Sequence, residues 1–156
     1  MLFNHINMKH FIATIIIIAT MTSCASSRIV LSDNANLDKY KYVIFGNETT
    51  GDRELDDVMM EIRNLISRTS LKVLPASDAT KIISCSDSIL TPNINVNTEK
   101  WDGGHTYITI TFYDYANNHP IAVVKGSGIG LSLRHDQNIA LGRIRKNLHR
   151  LFNTAK

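Results

Sequence analysis

The sequence predicts an α+β fold: a two-layer sandwich in which two helices cover one face of a mostly antiparallel sheet of four to five strands. Three features point there. Over "TYITITFYDY", Thr106 to Tyr115, residues alternate with the period of a half-buried strand. Ile108, Ile110 and Phe112 point to one side, Tyr107, Thr109, Thr111 and Tyr113 to the other. From Arg53 onward, Leu55, Val58, Met59, Ile62, Leu65 and Ile66 recur at helical spacing as one apolar stripe. A second stripe, Ala140 or Leu141, Ile144, Leu148, Leu151 and Phe152, runs through the last segment. Hydrophobic content of 44% and charged content of 20% over 156 residues suit a single globular domain.

The opening segment stands outside that fold. Lys9 and His10 precede an apolar run from Phe11 to Met21, broken only by Thr14 and Thr20. The run falls well short of the ~20 residues that cross a bilayer as a helix. A short apolar core behind a positive residue, ending in small residues, is the pattern of a secretory signal. "MKHF" from Met8 is a more ordinary opening for such a signal than "MLFNHIN", so Met8 is a second candidate start.

The run ends "MTSC", which resembles the lipobox of bacterial lipoproteins. Met21 stands where Leu is usual, Thr22 and Ser23 are the small residues, and Cys24 is the acceptor. The resemblance implies diacylglycerol on the Cys24 sulfur, cleavage before Cys24, and acylation of the new N-terminus. One acyl chain binds membranes only marginally, whereas two or three anchor durably. The alternative is a plain secretory signal followed by a coincidental cysteine. Ala25 replaces the Asp that marks inner-membrane retention in the enteric sorting rule, which implies the outer membrane. Cys24 and Cys85 can form one disulfide; with Cys24 lipidated, Cys85 is expected as a free buried thiol.

The chain thus divides into a signal peptide over 1–23, a lipid-anchored linker over 24–38 and one α+β domain over 39–156. "ASSRIVLSDNANL", Ala25 to Leu37, shows no periodicity and reads as a flexible tether with an r.m.s. span of roughly 20 Å. "KYVIFG" is the first strand, and Thr50 or Asp52 is the cap candidate for the first helix. "LKVLP" is the second strand. From Thr80 to Asn97 the pattern gives one long bent strand or two short ones about a break at Pro92. "EKWDGGH" is a loop turning at Gly103 and Gly104, and Thr106 to Gly130 is a hairpin. Ser132 caps the last helix, where Gly142 hints at close packing against the sheet.

The stretch from Tyr40 to Phe152 resembles small envelope α/β domains, namely the TolB N-terminal domain and the periplasmic domain of the curli-secretion lipoprotein. The residues behind this are "KYVIFGNETTGDRELDDVMMEIRNLISRTSLKVLP" and the hairpin "YDYANNHPIAVVKGSGIG". The long extra hairpins of the curli channel are missing, so a pore is not expected.

Motif by motif, little points to chemistry. "GSGIG", Gly126 to Gly130, fits neither Gly-x-Gly-x-x-Gly nor a phosphate loop, and glycines in a strand mark bulges or close packing. His105, His119, His135 and His149 lack metal-site spacing, so no metal and no cofactor is expected. Asp114 sits at a hairpin end and reads as a turn residue. Asn47-Glu48-Thr49 matches a glycosylation sequon, discounted beside a bacterial signal. The net charge of +3 carries no concentrated basic stripe, so nucleic-acid binding is not expected. The last helix has a basic outer face, Arg143, Arg145, Lys146, His149 and Arg150, suited to anionic headgroups, an acidic partner or the acidic first helix. Trp101 is a candidate partner contact or a plug for one end of the core.

The expectation is therefore a non-enzymatic envelope lipoprotein, anchored through Cys24, whose domain binds another envelope component near the same membrane. Arg143, Arg145, Lys146, Arg150 and Trp101 are its candidate contacts. A periplasmic hydrolase or small-ligand-binding protein with a tertiary site is the alternative, and a structural subunit of a homo-oligomer is a third reading. Cys24→Ala is expected to abolish labelling by a fatty-acid analogue and to release the protein from the membrane fraction. Unchanged fractionation overturns the tether.

Overall fold

The computed structural model describes residues 26–46, 51–75, 77–78, 88–99 and 104–153. Cys24, Cys85, Trp101 and the sequon lie outside the described residues. The elements are β1 (Ser27–Leu31), β2 (Tyr42–Ile44), α1 (Arg53–Ser67), β3 (Lys72–Leu74), β4 (Ile89–Glu99), β5 (His105–Asp114), β6 (Pro120–Gly128) and α2 (Leu133–Asn153), with a 3-10 turn at Leu37–Lys39. The strands form one sheet in the order β1-β6-β5-β4-β2-β3.

The α+β class and the two helices on one face stand, while the sheet has six strands among the described residues rather than four to five. Its β1-β6-β5-β4 portion is antiparallel, but β2 pairs in parallel with both β3 and β4. The parallel pairing of β2 with β3 follows from α1, because a helix between two neighbouring strands returns the chain to its starting end.

Local chemistry sets the boundaries. Asp52 rather than Thr50 caps α1, its Oδ1 accepting the Glu54 N–H at 2.9 Å. Val58, Met59, Ile62, Leu65 and Ile66 are buried along its inner stripe. Ser132 Oγ accepts the His135 N–H at 3.3 Å at the start of α2. In β5 the expected phase holds: Ile108, Ile110 and Phe112 are buried in the core. Phe112 meets Phe152 of α2 edge to face, 5.1 Å between ring centres.

Three expectations are corrected. The linker assigned to 24–38 is structured over most of its length. β1 pairs antiparallel with β6, Ser27 opposite Gly126 through Leu31 opposite Ala122. Pro92 does not break β4, which runs unbroken through it. Beyond Leu90 the paired neighbour of β4 is β5 alone, so one side of the strand needs no N–H donor at Pro92.

Gly142, in turn, is not the close-packing glycine. A Cβ there would meet nothing within 4 Å. The intimate contact belongs to β6: a Cβ on Gly126 would lie 3.1 Å from the Ala140 carbonyl oxygen. One on Gly128 would overlap the Asp136 carbonyl and come within 2.8 Å of the Ala140 nitrogen. Gly128→Ala is therefore expected to cost about 2–3 kcal/mol, since backbone cannot step aside as a side chain does. Gly142→Ala should be neutral or add up to about 1 kcal/mol through helix propensity. Urea unfolding of the two variants checks both signs.

Candidate functional site

The sheet gives the domain two ends with different chemistry. At the Ser27 end lie the start of β1, the end of β6, Gly104 and the start of α2. At the Asp114 end lie the β5–β6 turn, the start of β2 and the last turns of α1 and α2. Both helices run from the first end to the second. Glu54 and Asp57 of α1 line a groove with Arg134 and Gln137 of α2. At the far end Ser70, just past α1, donates through Oγ to the Phe152 carbonyl at 2.7 Å and through N–H to Asn153 Oδ1 at 3.0 Å.

At the Asp114 end the hairpin is held by a buried carboxylate, with 2% of Asp114 exposed. Its Oδ2 accepts from Tyr40 Oη at 2.7 Å and from Lys39 Nζ at 3.1 Å, and its Oδ1 accepts the Ala116 N–H at 2.9 Å. Burial works to raise the carboxyl, but hydrogen bonds from Tyr40, Lys39 and the Ala116 backbone outweigh it and hold Asp114 below the ordinary carboxylate value. Hydrogen bonding with Tyr40 and then with Asp114 raises Lys39, and burial followed by the bond to Asp114 raises Tyr40. The turn role read from sequence is thus correct. The reach of Asp114 to Tyr40 and Lys39, some 75 residues away, was not readable from it.

Beside this cluster opens a cleft of about 480 Å³ lined by Leu37, Tyr40, Lys41, Arg68, Ser70 and Phe152, among others. Its hydroxyls are engaged in holding the helix ends: Ser70 as above, and Thr69 Oγ1 donating to the Ile66 carbonyl at 2.7 Å. Lys41 and Arg68 lie exposed at its mouth.

At the Ser27 end Thr106, Ser127, Asp136, Gln137 and Asn147 are buried among the described residues. Asn147 of α2 donates from Nδ2 to Ser27 Oγ at 2.9 Å and to the Lys125 carbonyl at 3.1 Å, tying the helix to β1 and β6 together. Ser127 receives the Ser26 N–H on its Oγ at 2.9 Å. Asp136 is fully buried against Gly104 and Gly130, and among the described residues neither of its oxygens has a hydrogen-bond partner. Gly104 takes φ +71°, which a residue with a Cβ seldom adopts, and its bare Cα leaves the carboxylate its room.

Of the expected contacts, Arg145, Lys146 and Arg150 are exposed and Arg143 half-buried on the outer side of α2, in its second half. The acidic start of α1 faces Arg134, not this cluster, because the helices run parallel. The four histidines do not converge. His105 lies on Tyr107, ring centres 3.9 Å apart with Nδ1 2.7 Å from Tyr107 Oη, while His119 and His149 sit towards the opposite end. Among the described residues no group of three His, Cys, Asp or Glu side chains is placed to hold a metal ion, and no helix is long and apolar enough to cross a membrane.

No family model matches the chain, and no curated protein is similar to it in sequence. Among solved structures it is similar to the PelC dodecamer from Paraburkholderia phytofirmans in space group P6, with TM-score 0.50 and 16% identity over 82% of this chain and 97% of that one. A PelC variant dodecamer from the same organism in space group C2 gives TM-score 0.52 and 14% identity over 82% and 98%. At such identity the likeness is one of fold. Neither is a TolB or curli-secretion domain.

The Asp114 cluster generates a pH prediction. A carboxylate whose pKa is lowered by folding stabilises above its unfolded value of about 3.9, and that contribution is lost as pH falls through the folded value. Urea unfolding from about pH 7 to about pH 3 should show a falling stability that is shallower in Asp114→Asn. Tyr40→Phe should cost about 1.5–3 kcal/mol at neutral pH, the usual worth of a hydrogen bond to a charged group.

Proposed function

We propose that the chain is a non-enzymatic, membrane-anchored envelope lipoprotein, the subunit of a homo-oligomer that binds another envelope component near its own membrane. The observation that carries the reading is the position of β1. Ser26, two places after the lipobox-like Cys24, is already bonded to Ser127, so a lipid on Cys24 leaves no long tether and the domain works at the membrane surface.

The oligomer reading rests on the sheet. Its two outer strands, β1 and β3, each present one backbone edge unpaired among the described residues, and both carry exposed apolar residues: Val30 and Leu31 on β1, Val73 on β3. Unprotected edges invite pairing with another chain. Two different patches on one subunit suit the head-to-tail contacts that close rings. That the similar PelC structures are dodecamers agrees with this reading.

A second reading, a small-ligand-binding protein, is favoured by the cleft at the Asp114 end. Its volume of about 480 Å³ is within the usual range of ligand sites, and its mouth carries Lys41 and Arg68.

Light scattering on the full-length protein extracted in mild detergent tests the assembly. A mass of several copies is expected, falling towards one copy when Val30→Lys is combined with Leu31→Glu. A single-copy mass for the unaltered protein overturns the oligomer. Crosslinked cells that yield no envelope protein or glycan attached to the domain overturn the binding role.

A further inference from the structure

We infer that the turn from Ile129 to Leu131 lies against the bilayer and forms a second, apolar membrane contact beside the lipid on Cys24. This rests on the anchored reading above and adds an orientation to it.

The argument is one of chain length. Only Ala25 separates Cys24 from Ser26. Two residue steps span at most about 7 Å. Ser26 is itself fixed, its N–H donating to Ser127 Oγ at 2.9 Å and its carbonyl accepting the Ser127 N–H at 3.0 Å. A lipid on Cys24 therefore holds the Ser27 end of the sheet against the headgroups, with no slack for the domain to tumble.

The same end carries the turn that leaves β6. Leu131 follows Ser127 by four residues, at most about 14 Å of chain. It is 94% exposed, the most exposed of the described large hydrophobic residues, and Ile129 is 39% exposed. A lone exposed leucine means little by itself; here its position decides. It projects from a short turn rather than lining a groove, which suits a deformable bilayer surface better than a partner with a matching pocket.

The test uses full-length, lipidated protein purified from membranes and placed in phosphatidylcholine vesicles with or without brominated acyl chains. Trp101→Phe removes the one native tryptophan. A single reporter is then introduced as Leu131→Trp, as Ile129→Trp, or, at the opposite end, as Tyr115→Trp. Bromine in the acyl region should lower emission about twofold at 131 or 129, as for a side chain seated at the headgroup–acyl boundary, and leave 115 nearly unchanged. Lipidated, vesicle-bound protein with no loss at either 131 or 129, or with equal loss at 115, overturns the orientation and leaves the anchor standing. Protein that takes up no fatty-acid label overturns the anchor, and the orientation with it.

Discussion

The close approach of α2 to β6 is the contact on which most of the structure depends. Two glycines without side chains, Gly126 and Gly128, let the helix backbone settle directly on the strand. From that distance Ala140 and Ile144 fill the space over β6, and Asn147 can bond the Lys125 carbonyl and Ser27 at once. β1 is held by this second bond as well as by its ladder to β6, so an outer strand of five residues becomes part of the domain. A larger residue at either glycine would lift the helix and loosen β1 along with it.

Polar groups are buried at both ends of the sheet, with different consequences. At the Asp114 end each carboxylate oxygen is engaged, and the cluster joins the β5–β6 hairpin to the segment leading into β2. A carboxylate so occupied braces the fold and is not poised to act on a ligand. At the Ser27 end Asp136 is enclosed with no partner among the described residues, an arrangement that ordinarily costs stability. The domain is thus braced at the end away from the proposed anchor and carries its least compensated group at the end beside it.

What could be read from sequence follows from how many sides of each element are covered. β5 and α1 each show one buried and one open side, so Ile108, Ile110, Phe112 and the stripe from Val58 to Ile66 declare themselves. β1 does not: along "SRIVL" only Ile29 is even half-buried, which leaves no alternation to see. The run Ile29-Val30-Leu31 has strand propensity, but it is too short to stand against the polar residues around it. Pro92 misled because a proline break assumes pairing on both sides of a strand. Gly142 misled because a glycine in a helix resembles a contact, whereas the glycines in contact were in the strand. Asp136 and Asn147 lie at the spacing of the α2 stripe and fall among its buried residues. Polar side chains on an apolar stripe were the available signal for the buried polar end, and it went unread. The bonds of Asp114 to Tyr40 and Lys39 had no counterpart in local pattern at all.

The pairing of β1 with β6 also sets an order of events. Ser26 and its partner Ser127 are 101 residues apart in sequence. In a chain that emerges N-terminus first, β1 arrives before the strand it needs, and it stays extended until nearly the whole domain has followed. Non-local pairings of this kind close late because the intervening chain must be ordered first. The first of the described strands to appear is thus the last to be seated. On the anchored reading proposed above, acylation of Cys24, three positions ahead of β1, would then precede closure of the sheet.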